Sequence, residues 1–218
     1  ELIPFLEGLE RTFEVVCVDD GSRDGSAAIL DRAAAADPRI RVEHLSPNQG
    51  KGGAVRTGML MAEGDFVFFL DADLSTPLDE TPAFLSALET GCDVVIGNRR
   101  SPGSHIERRQ PWIRETLGKG FTKLTQTLLA PGVYDFTCGF KGFRRDAAQS
   151  VFERSTLDKW AFDAELVVIA HQQGLRLAQL PVRWRHEDDT KVRVVAAVFG
   201  TLVELVQIFA NKVRGRYR

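Results

Sequence analysis

The sequence predicts an α/β fold in which helices cover a mostly parallel sheet. Short apolar runs rich in β-branched and aromatic residues recur between stretches of helical period, and they lack the polar alternation of half-exposed strands. Such runs are typical of strands buried on both faces. Regular alternation of strands with helices implies parallel connections. With 218 residues, the chain suits one large domain with or without a small appendage.

The first half follows this alternation closely. Residues 1–11 place Leu2, Phe5 and Leu9 on one helical face, so the chain opens with an amphipathic helix. Strands are then predicted at residues 13–18, 41–45, 66–70 and 93–97. Helices are predicted at residues 27–36, 54–62 and 79–89, between these strands.

The second half is less regular. Residues 101–111 are polar and basic and are predicted to form a loop. Helices are predicted at residues 112–129, 145–152 and 163–171, with a loop and strand at 135–143. Residues 177–184 are extended but contain Pro181, which predicts an edge strand.

Two carboxylates follow the buried run at residues 66–70. Asp71 and Asp73 stand one residue apart, and Pro77 prevents simple continuation of a strand or helix beyond them. They therefore lie at a carboxyl edge of the sheet, where open α/β folds bind ligands. Hard oxygen ligands there suit Mg²⁺ or Mn²⁺ shared with a substrate diphosphate. The alternative is a pair of solvated loop acids.

A second strand end carries a similar signal. The strand at residues 13–18 ends in Asp19 and Asp20. A glycine-rich loop at residues 46–53 leads into the helix at 54–62, and its glycines let the backbone approach a ligand while Lys51 reaches a phosphate. The loop lacks the full P-loop pattern, so alone it is a weak signal.

Charge is divided unevenly along the chain. Residues 1–98 carry 7 basic and 18 acidic side chains, whereas residues 99–218 carry 21 and 12. An acidic half can hold a cation, and a basic half can meet phosphates or an anionic membrane surface. The alternative is that both halves present solvated faces. Cys17, Cys92 and Cys138 follow no metal-ligand spacing and are interpreted as reduced structural residues.

The last segment, residues 192–218, is predicted to be an amphipathic helix with a basic tail. A narrow polar stripe runs through Glu204, Gln207 and Asn211, and the rest of the helix is largely apolar. No apolar run reaches the length needed to span a bilayer. We expect this helix to lie on a membrane surface, with basic residues after it near anionic headgroups. Packing on its own domain or on a dimer mate is the alternative.

Taken together, four motifs resemble the family 2 glycosyltransferases of the GT-A fold. They are VVCVDDGSRDGS, NQGKGGAVRTGM, GDFVFFLDADLSTP and DVVIGNRR, in this order. Two later stretches, DFTCGFKGFRRDAA and KWAFDAELVVIA, are similar to the polyprenyl-phosphate branch, which includes dolichyl-phosphate β-glucosyltransferases. The resemblance covers about residues 13–192. It implies a GT-A domain at residues 1–191, followed by the interface helix.

The resemblance assigns roles to individual residues. It implies that Asp71 and Asp73 hold the metal, with Asp73 the direct ligand and central to catalysis. Asp163 falls where relatives with hydroxyl acceptors keep a catalytic carboxylate, although a helix N-terminal acid interacting with the dipole is an equal alternative. The predicted nucleotide contacts are Asp19, Asp20, Asn48, Gly50 and Lys51. The predicted acceptor-phosphate contacts are Arg99, Arg114 and Lys191.

The chain departs from the family at its start. Members begin with a strand ending in a Pro-x-x-Asn-Glu motif that closes the base pocket, and this sequence begins at the helix after it. Either that strand lies outside this sequence or something else fills its place, so base selectivity stays open. Absence of the strand would expose neighbouring strand edges.

The expected reaction is inverting transfer of a hexose from UDP-glucose or GDP-mannose to a polyprenyl phosphate, and glucose is the expected sugar. The expected location is the cytoplasmic membrane surface. No nucleic-acid partner is expected, and the sequence does not determine whether the protein forms a homo-oligomer. A glycosyltransferase with a sugar hydroxyl acceptor is the main alternative. FFLDADLS also resembles the motif of haloacid-dehalogenase phosphatases, in which the first Asp is a nucleophile. A noncatalytic sugar-nucleotide or lipid-phosphate binding fragment is the third alternative.

Overall fold

The structure, a computed structural model, describes residues 1–108, 112–185 and 194–218. Its helices are α1 Leu2–Glu7, α2 Ser26–Ala36, α3 Lys51–Met61, α4 Thr81–Glu89, α5 Trp112–Leu128, α6 Arg145–Arg154, α7 Phe162–Gln172 and α8 Val194–Val213. Its strands are β1 Val15–Asp19, β2 Ile40–His44, β3 Phe66–Leu70, β4 Val94–Asn98, β5 His105–Arg108, β6 Phe140–Arg144, β7 Leu177–Pro181 and β8 Arg183–Arg185. A short 3-10 turn, Leu78–Glu80, precedes α4.

Parallel pairing dominates the sheets, which confirms the predicted fold class. The pairs β1–β2, β4–β7 and β5–β8 are parallel, whereas β6 runs antiparallel to both of its neighbours, β3 and β4. The larger sheet has the order β3-β6-β4-β7, so β7 is an edge strand, as Pro181 predicts.

Helices cover the four-stranded sheet on both faces. Alternate residues of β3 point to opposite sides: Val67 and Phe69 join the larger core with α6, α7 and α8, and Phe68 packs against the smaller core with Phe84 of α4. This two-sided burial explains why the strand sequences lack polar alternation. Because β3 is buried between two layers of helices, its end is held in place, and Asp71, which follows it, lies at the edge of the sheet.

Three predicted elements differ in the structure. Residues 105–108, predicted as loop, form β5, because the backbone there pairs with β8 although only Ile106 is a large apolar residue. The predicted strand at 177–184 is two strands in the structure, because β7 pairs with β4 whereas β8 pairs with β5. Helix α1 ends at Glu7 and has no buried residue, and Glu10 beyond it has φ 53°. Residues 109–111 of the predicted loop lie outside the described residues.

Candidate active site

The N-terminus of α3 joins the carboxyl ends of β1 and β3. The backbone N–H of Gly50 donates to Asp20 Oδ2 at 2.8 Å, and the side-chain amide of Asn48 donates to the carbonyl of Asp20 at 2.6 Å. The next residue, Lys51, places Nζ 2.6 Å from Asp71 Oδ1. Successive residues therefore bind the two acidic strand ends, and the structure brings these five predicted site residues together.

Asp71 and Asp73 occupy different local environments. Asp73 Oδ1 accepts hydrogen bonds from the backbone N–H of Ser75 at 3.0 Å and from its hydroxyl at 2.7 Å, which closes a tight turn. Leu74 within that turn has φ 50°. Asp71 lies against the backbone that leads into β6, where a Cβ on Gly139 would stand 2.1 Å from Asp71 Oδ2. A side chain at position 139 would therefore displace the first carboxylate.

An open cleft lies beside the second carboxylate. It has a volume of about 570 Å³, and its lining includes Phe5, Asp73, Ser75, Pro77 and Arg185. The turn that carries Asp73 thus faces space large enough for part of a substrate.

The donor set fits a divalent cation that a substrate helps to hold. Within the described ranges, no group of three or more His, Cys, Asp and Glu side chains converges on a metal position. Asp71 and Asp73 supply two hard carboxylates at one rim. Mg²⁺ is usually held in this way, by one or two carboxylates together with substrate phosphates and water.

Lys51 is a positive charge in direct contact with Asp71. Burial lowers the pKa of its ammonium, but the carboxylates of Asp163 and Asp71 outweigh burial and raise the pKa overall. Lys51 therefore stays charged and links Asp71 to a second acidic group deeper in the fold.

That second group is a buried ion pair. Asp163 lies in the first turn of α7, and its Oδ1 contacts Nζ of Lys141, which also donates to the carbonyl of Cys138. The side chains of Lys141 and Asp163 are 0% and 7% exposed. Burial raises the pKa of Asp163, and the ammonium groups of Lys141 and Lys51 oppose that rise. Sequence analysis missed Lys141, although a single lysine inside an apolar strand is a signal for a buried partner.

Arg99 is held in place by a buried carboxylate. Its Nε and Nη2 donate to the two oxygens of Asp135 at 2.7 and 2.8 Å, and its guanidinium carbon lies 5.3 Å from the centre of the Trp184 ring. Burial alone would raise the pKa of Asp135, but Arg99 outweighs it and the pKa is lowered. This fork-to-fork geometry fixes the orientation of the arginine. Asp135, like Lys141, was not among the predicted site residues.

Asp19 is part of a chain of three polar side chains. His44 on β2 contacts Asp19 through Nδ1 at 3.0 Å and Asp31 through Nε2 at 2.9 Å. Hydrogen bonds from Ser22 and His44 lower the pKa of Asp19. Hydrogen bonds to Asp31 and then Asp19 raise the pKa of His44. His44 was missed because the histidine and its two partners lie on separate elements.

The glycines of the loop before α3 pack against the chain itself. A Cβ on Gly50 would lie 2.5 Å from the carbonyl oxygen of Asp158, and a Cβ on Gly52 would lie 2.5 Å from that of Leu157. The N–H of Gly52 donates to Asp158 at 2.7 Å. In the described structure these glycines allow close approach of two backbone segments, and a nucleotide contact at Gly50 stays a prediction.

The side chains of two residues that were predicted to bind the acceptor phosphate are not described. Arg114 lies in α5, but its side chain is not among those described, and Lys191 lies outside the described residues. The assigned roles of all the candidate residues therefore remain predictions.

Comparison with known proteins connects this site to one family. The profile described as "Glycosyl transferase family 2" matches residues 4–152. A protein of Trichomonas vaginalis named dolichyl-phosphate beta-glucosyltransferase ALG5C is 34% identical over 93% of this chain and 61% of its own length. The human dolichyl-phosphate beta-glucosyltransferase is 30% identical over 88% of this chain and 63% of its own length. The chain thus spans about three-fifths of these relatives.

Solved structures show the same fold at lower identity. Glucosyl-3-phosphoglycerate synthase from Mycobacterium tuberculosis in complex with uridine diphosphate has a TM-score of 0.63 and 19% identity, covering 89% of this chain and 68% of that one. The same enzyme in complex with Mn²⁺ and UDP-glucose has a TM-score of 0.57 and 19% identity, covering 87% and 67%. These matches confirm the predicted GT-A architecture.

Proposed function

The chain belongs to glycosyl transferase family 2, and we propose that it transfers glucose from a nucleotide sugar to the phosphate of a dolichyl-type lipid with inversion at the anomeric carbon. Relatives named dolichyl-phosphate beta-glucosyltransferase, at 30–34% identity, support the sugar and the acceptor. A solved structure with UDP-glucose supports UDP as the carrier over GDP.

The burial of Asp163 is the observation that favours a phosphate acceptor over a hydroxyl. A general base must come within hydrogen-bond distance of the proton that it removes. Asp163 was the candidate base, with a helix-capping role as the equal alternative, and its side chain is 7% exposed and paired with Lys141. A phosphate is already ionised at neutral pH and needs no base, so this acceptor is compatible with a carboxylate that is enclosed in the fold.

At the donor end, Asp71 and Asp73 would hold Mg²⁺ or Mn²⁺ when the nucleotide sugar binds. The metal would supply positive charge that stabilises the departing nucleoside diphosphate. Lys51, next to Asp71, adds a fixed positive charge at the same rim. Asp19, Asp20, Asn48 and Gly50 orient the nucleoside from the neighbouring strand end.

At the acceptor end, basic side chains position the lipid phosphate. The two oxygens of Asp135 hold the guanidinium of Arg99 in a fixed orientation, and Arg99 stays charged at neutral pH, as arginines in proteins do. Arg114 and Lys191 contribute further charge from the segments that follow. Because the phosphate is already a nucleophile, holding it close to the anomeric carbon supplies most of the help that it needs.

The reaction takes place at the cytoplasmic surface of a membrane, where the lipid acceptor resides. Within the described residues, no helix is long and apolar enough to cross a bilayer. The proposal therefore concerns how this part of the protein approaches the lipid, and it assigns no membrane-spanning role to it.

The test is a transfer assay with radiolabelled UDP-glucose and GDP-mannose, offered to short polyprenyl phosphates and to free sugar acceptors. We expect glucose on the lipid phosphate, and we expect a chelator to abolish the transfer and Mg²⁺ or Mn²⁺ to restore it. Transfer to sugar hydroxyls with an unlabelled lipid would refute the proposed acceptor. Release of phosphate from simple esters would instead favour the phosphatase alternative.

A further inference from the structure

The side of α8 that faces the protein carries both polar and apolar residues, and a second, largely apolar side faces outward. Glu204 Oε2 accepts a hydrogen bond from the backbone N–H of Ala161 at 2.9 Å. Asn211 is buried and donates to the Tyr217 hydroxyl at 3.2 Å. Leu205 is buried between these two anchors. Ile208 is fully buried as well, so α8 is held to the domain by apolar packing together with these polar contacts, and it has a second apolar side that the domain does not cover.

The opposite side of α8 is a row of exposed large apolar residues. Leu202, Val206, Phe209 and Val213 follow steps of four, three and four, which places them along one helical stripe, and Val203 lies beside them. The three valines are each 69% exposed. Contiguous apolar surface of this kind marks an interaction site more often than scattered exposed residues do.

Neighbouring elements extend this row at both ends. Lys212 Nζ donates to the carbonyls of Leu128 and Leu129, so the end of α5 lies beside the end of α8, and Leu124 and Leu128 of α5 are exposed there. At the other end, exposed Trp160 precedes the residue that binds Glu204. We call this surface the apolar ridge, with these members: Leu124, Leu128, Trp160, Leu202, Val203, Val206, Phe209 and Val213.

Positive charge accompanies the ridge. Lys119 and Lys123 are exposed on α5, and Arg214 and Arg216 are exposed just after α8. Glu204 is the one acidic residue between positions 194 and 218, and it is turned toward the domain. A basic rim next to apolar side chains matches an anionic bilayer surface, where each Lys or Arg adds roughly a factor of five in binding.

We propose that the apolar ridge is the docking surface for an anionic lipid bilayer. The inference rests on the proposed function, because a lipid-phosphate acceptor requires the site to meet the bilayer. Trp160 lies two residues after Asp158, whose backbone contacts Gly52 beside Lys51, so the ridge begins next to the candidate site. A symmetric dimer through this face would bring the basic rims of two copies together, which like-charge repulsion disfavours.

The experiment measures binding to extruded vesicles by flotation. We compare vesicles of seven parts phosphatidylcholine to three parts phosphatidylglycerol with vesicles of phosphatidylcholine alone. The variant Val203→Glu/Val206→Glu changes two highly exposed ridge positions, so its fold is retained. The matched control is Ile29→Glu, which changes an apolar residue of α2 that is 60% exposed. Arg214→Gln/Arg216→Gln tests the charge separately.

We expect the ridge variant to lose at least tenfold in vesicle binding, while Ile29→Glu binds like the wild type. The arginine variant should lose most of its preference for phosphatidylglycerol. Equal binding by the ridge variant and the wild type would overturn the inference. So would a dimer in light scattering that the ridge variant disrupts while its vesicle binding is unchanged, because the face would then join two copies.

Transfer to a water-soluble short-chain polyprenyl phosphate without vesicles separates this inference from the proposed function. The ridge variant should retain that transfer, since neither Val203 nor Val206 is among the candidate site residues. Absence of transfer in the wild type would refute the proposed function, whereas loss of vesicle binding alone concerns only the ridge.

Discussion

Replacing Lys141 with methionine tests the buried ion pair on which the acceptor argument depends. Methionine keeps the unbranched side chain as far as the ε position but removes the ammonium group. The substitution leaves the Asp163 carboxylate without its nearest cation, in a position where its side chain is 7% exposed. It also removes the donor to the carbonyl of Cys138.

The expected loss of stability is large. Removing one partner of a buried ion pair costs about 3–5 kcal/mol, because the remaining charge stays buried and unpaired. For a domain of this size, such a loss lowers Tm by about 10 °C. The double variant Lys141→Met/Asp163→Val should recover most of the loss, since replacing both charges with apolar groups is often neutral.

Urea unfolding followed by circular dichroism measures the free energies of all three proteins. Lys123→Met is the matched control, because Lys123 is exposed on α5 and its replacement should change the unfolding free energy by less than about 0.5 kcal/mol. If Lys141→Met unfolds within about 1 kcal/mol of the wild type, the lysine and the carboxylate are not paired in a buried site. Failure of the double variant to recover stability would show that the two residues are not coupled.

Three further predictions concern the site and the C-terminus. Asp73→Asn should lower transfer at least a hundredfold in a metal-supplemented assay while Tm stays within a few degrees; substantial activity would contradict the metal role. Because Asp31 and Asp19 raise the pKa of His44, its contribution to stability is complete at acidic pH and fades as pH rises through that raised value. His44→Gln should therefore cost more stability at pH 5 than at pH 8, and an equal cost would contradict this. Tyr217→Phe should destabilise by about 1–2 kcal/mol in urea unfolding, since it removes the hydroxyl bonded to Asn211 and Glu165.

The sequence predicted what depends on local pattern. Buried strands such as β3 could be recognised from uninterrupted apolar runs, and the acids after them could be placed at one rim because parallel strands end together. The cluster of Asp20, Gly50, Lys51 and Asp71 agrees with that expectation, although β1 and β3 belong to different sheets and the start of α3 connects their ends.

The partners of buried charges could not be predicted in the same way. Lys141 and Asp163 are 22 residues apart, and Arg99 and Asp135 are 36 apart, so no periodic pattern relates them. Such pairs arise from packing between elements. A search for isolated charges within apolar runs would have selected Lys141 but not its partner.

Helical periodicity also left the direction of α8 open. It separated a polar stripe from an apolar face but did not determine which of them contacts the domain. The usual rule turns the polar side to water. In this structure Glu204 and Asn211 contact the domain beside the buried Leu205 and Ile208, while a second row of apolar residues is exposed.

The most direct test of the central claim is the chemical structure of the product. Lipid labelled from UDP-glucose should be purified and examined by phosphorus and proton NMR. The account predicts a glucosyl phosphodiester in which the acceptor phosphate carries the sugar in β linkage, opposite to the α linkage of the donor. Glucose attached to a hydroxyl, or an α-linked product, would contradict it.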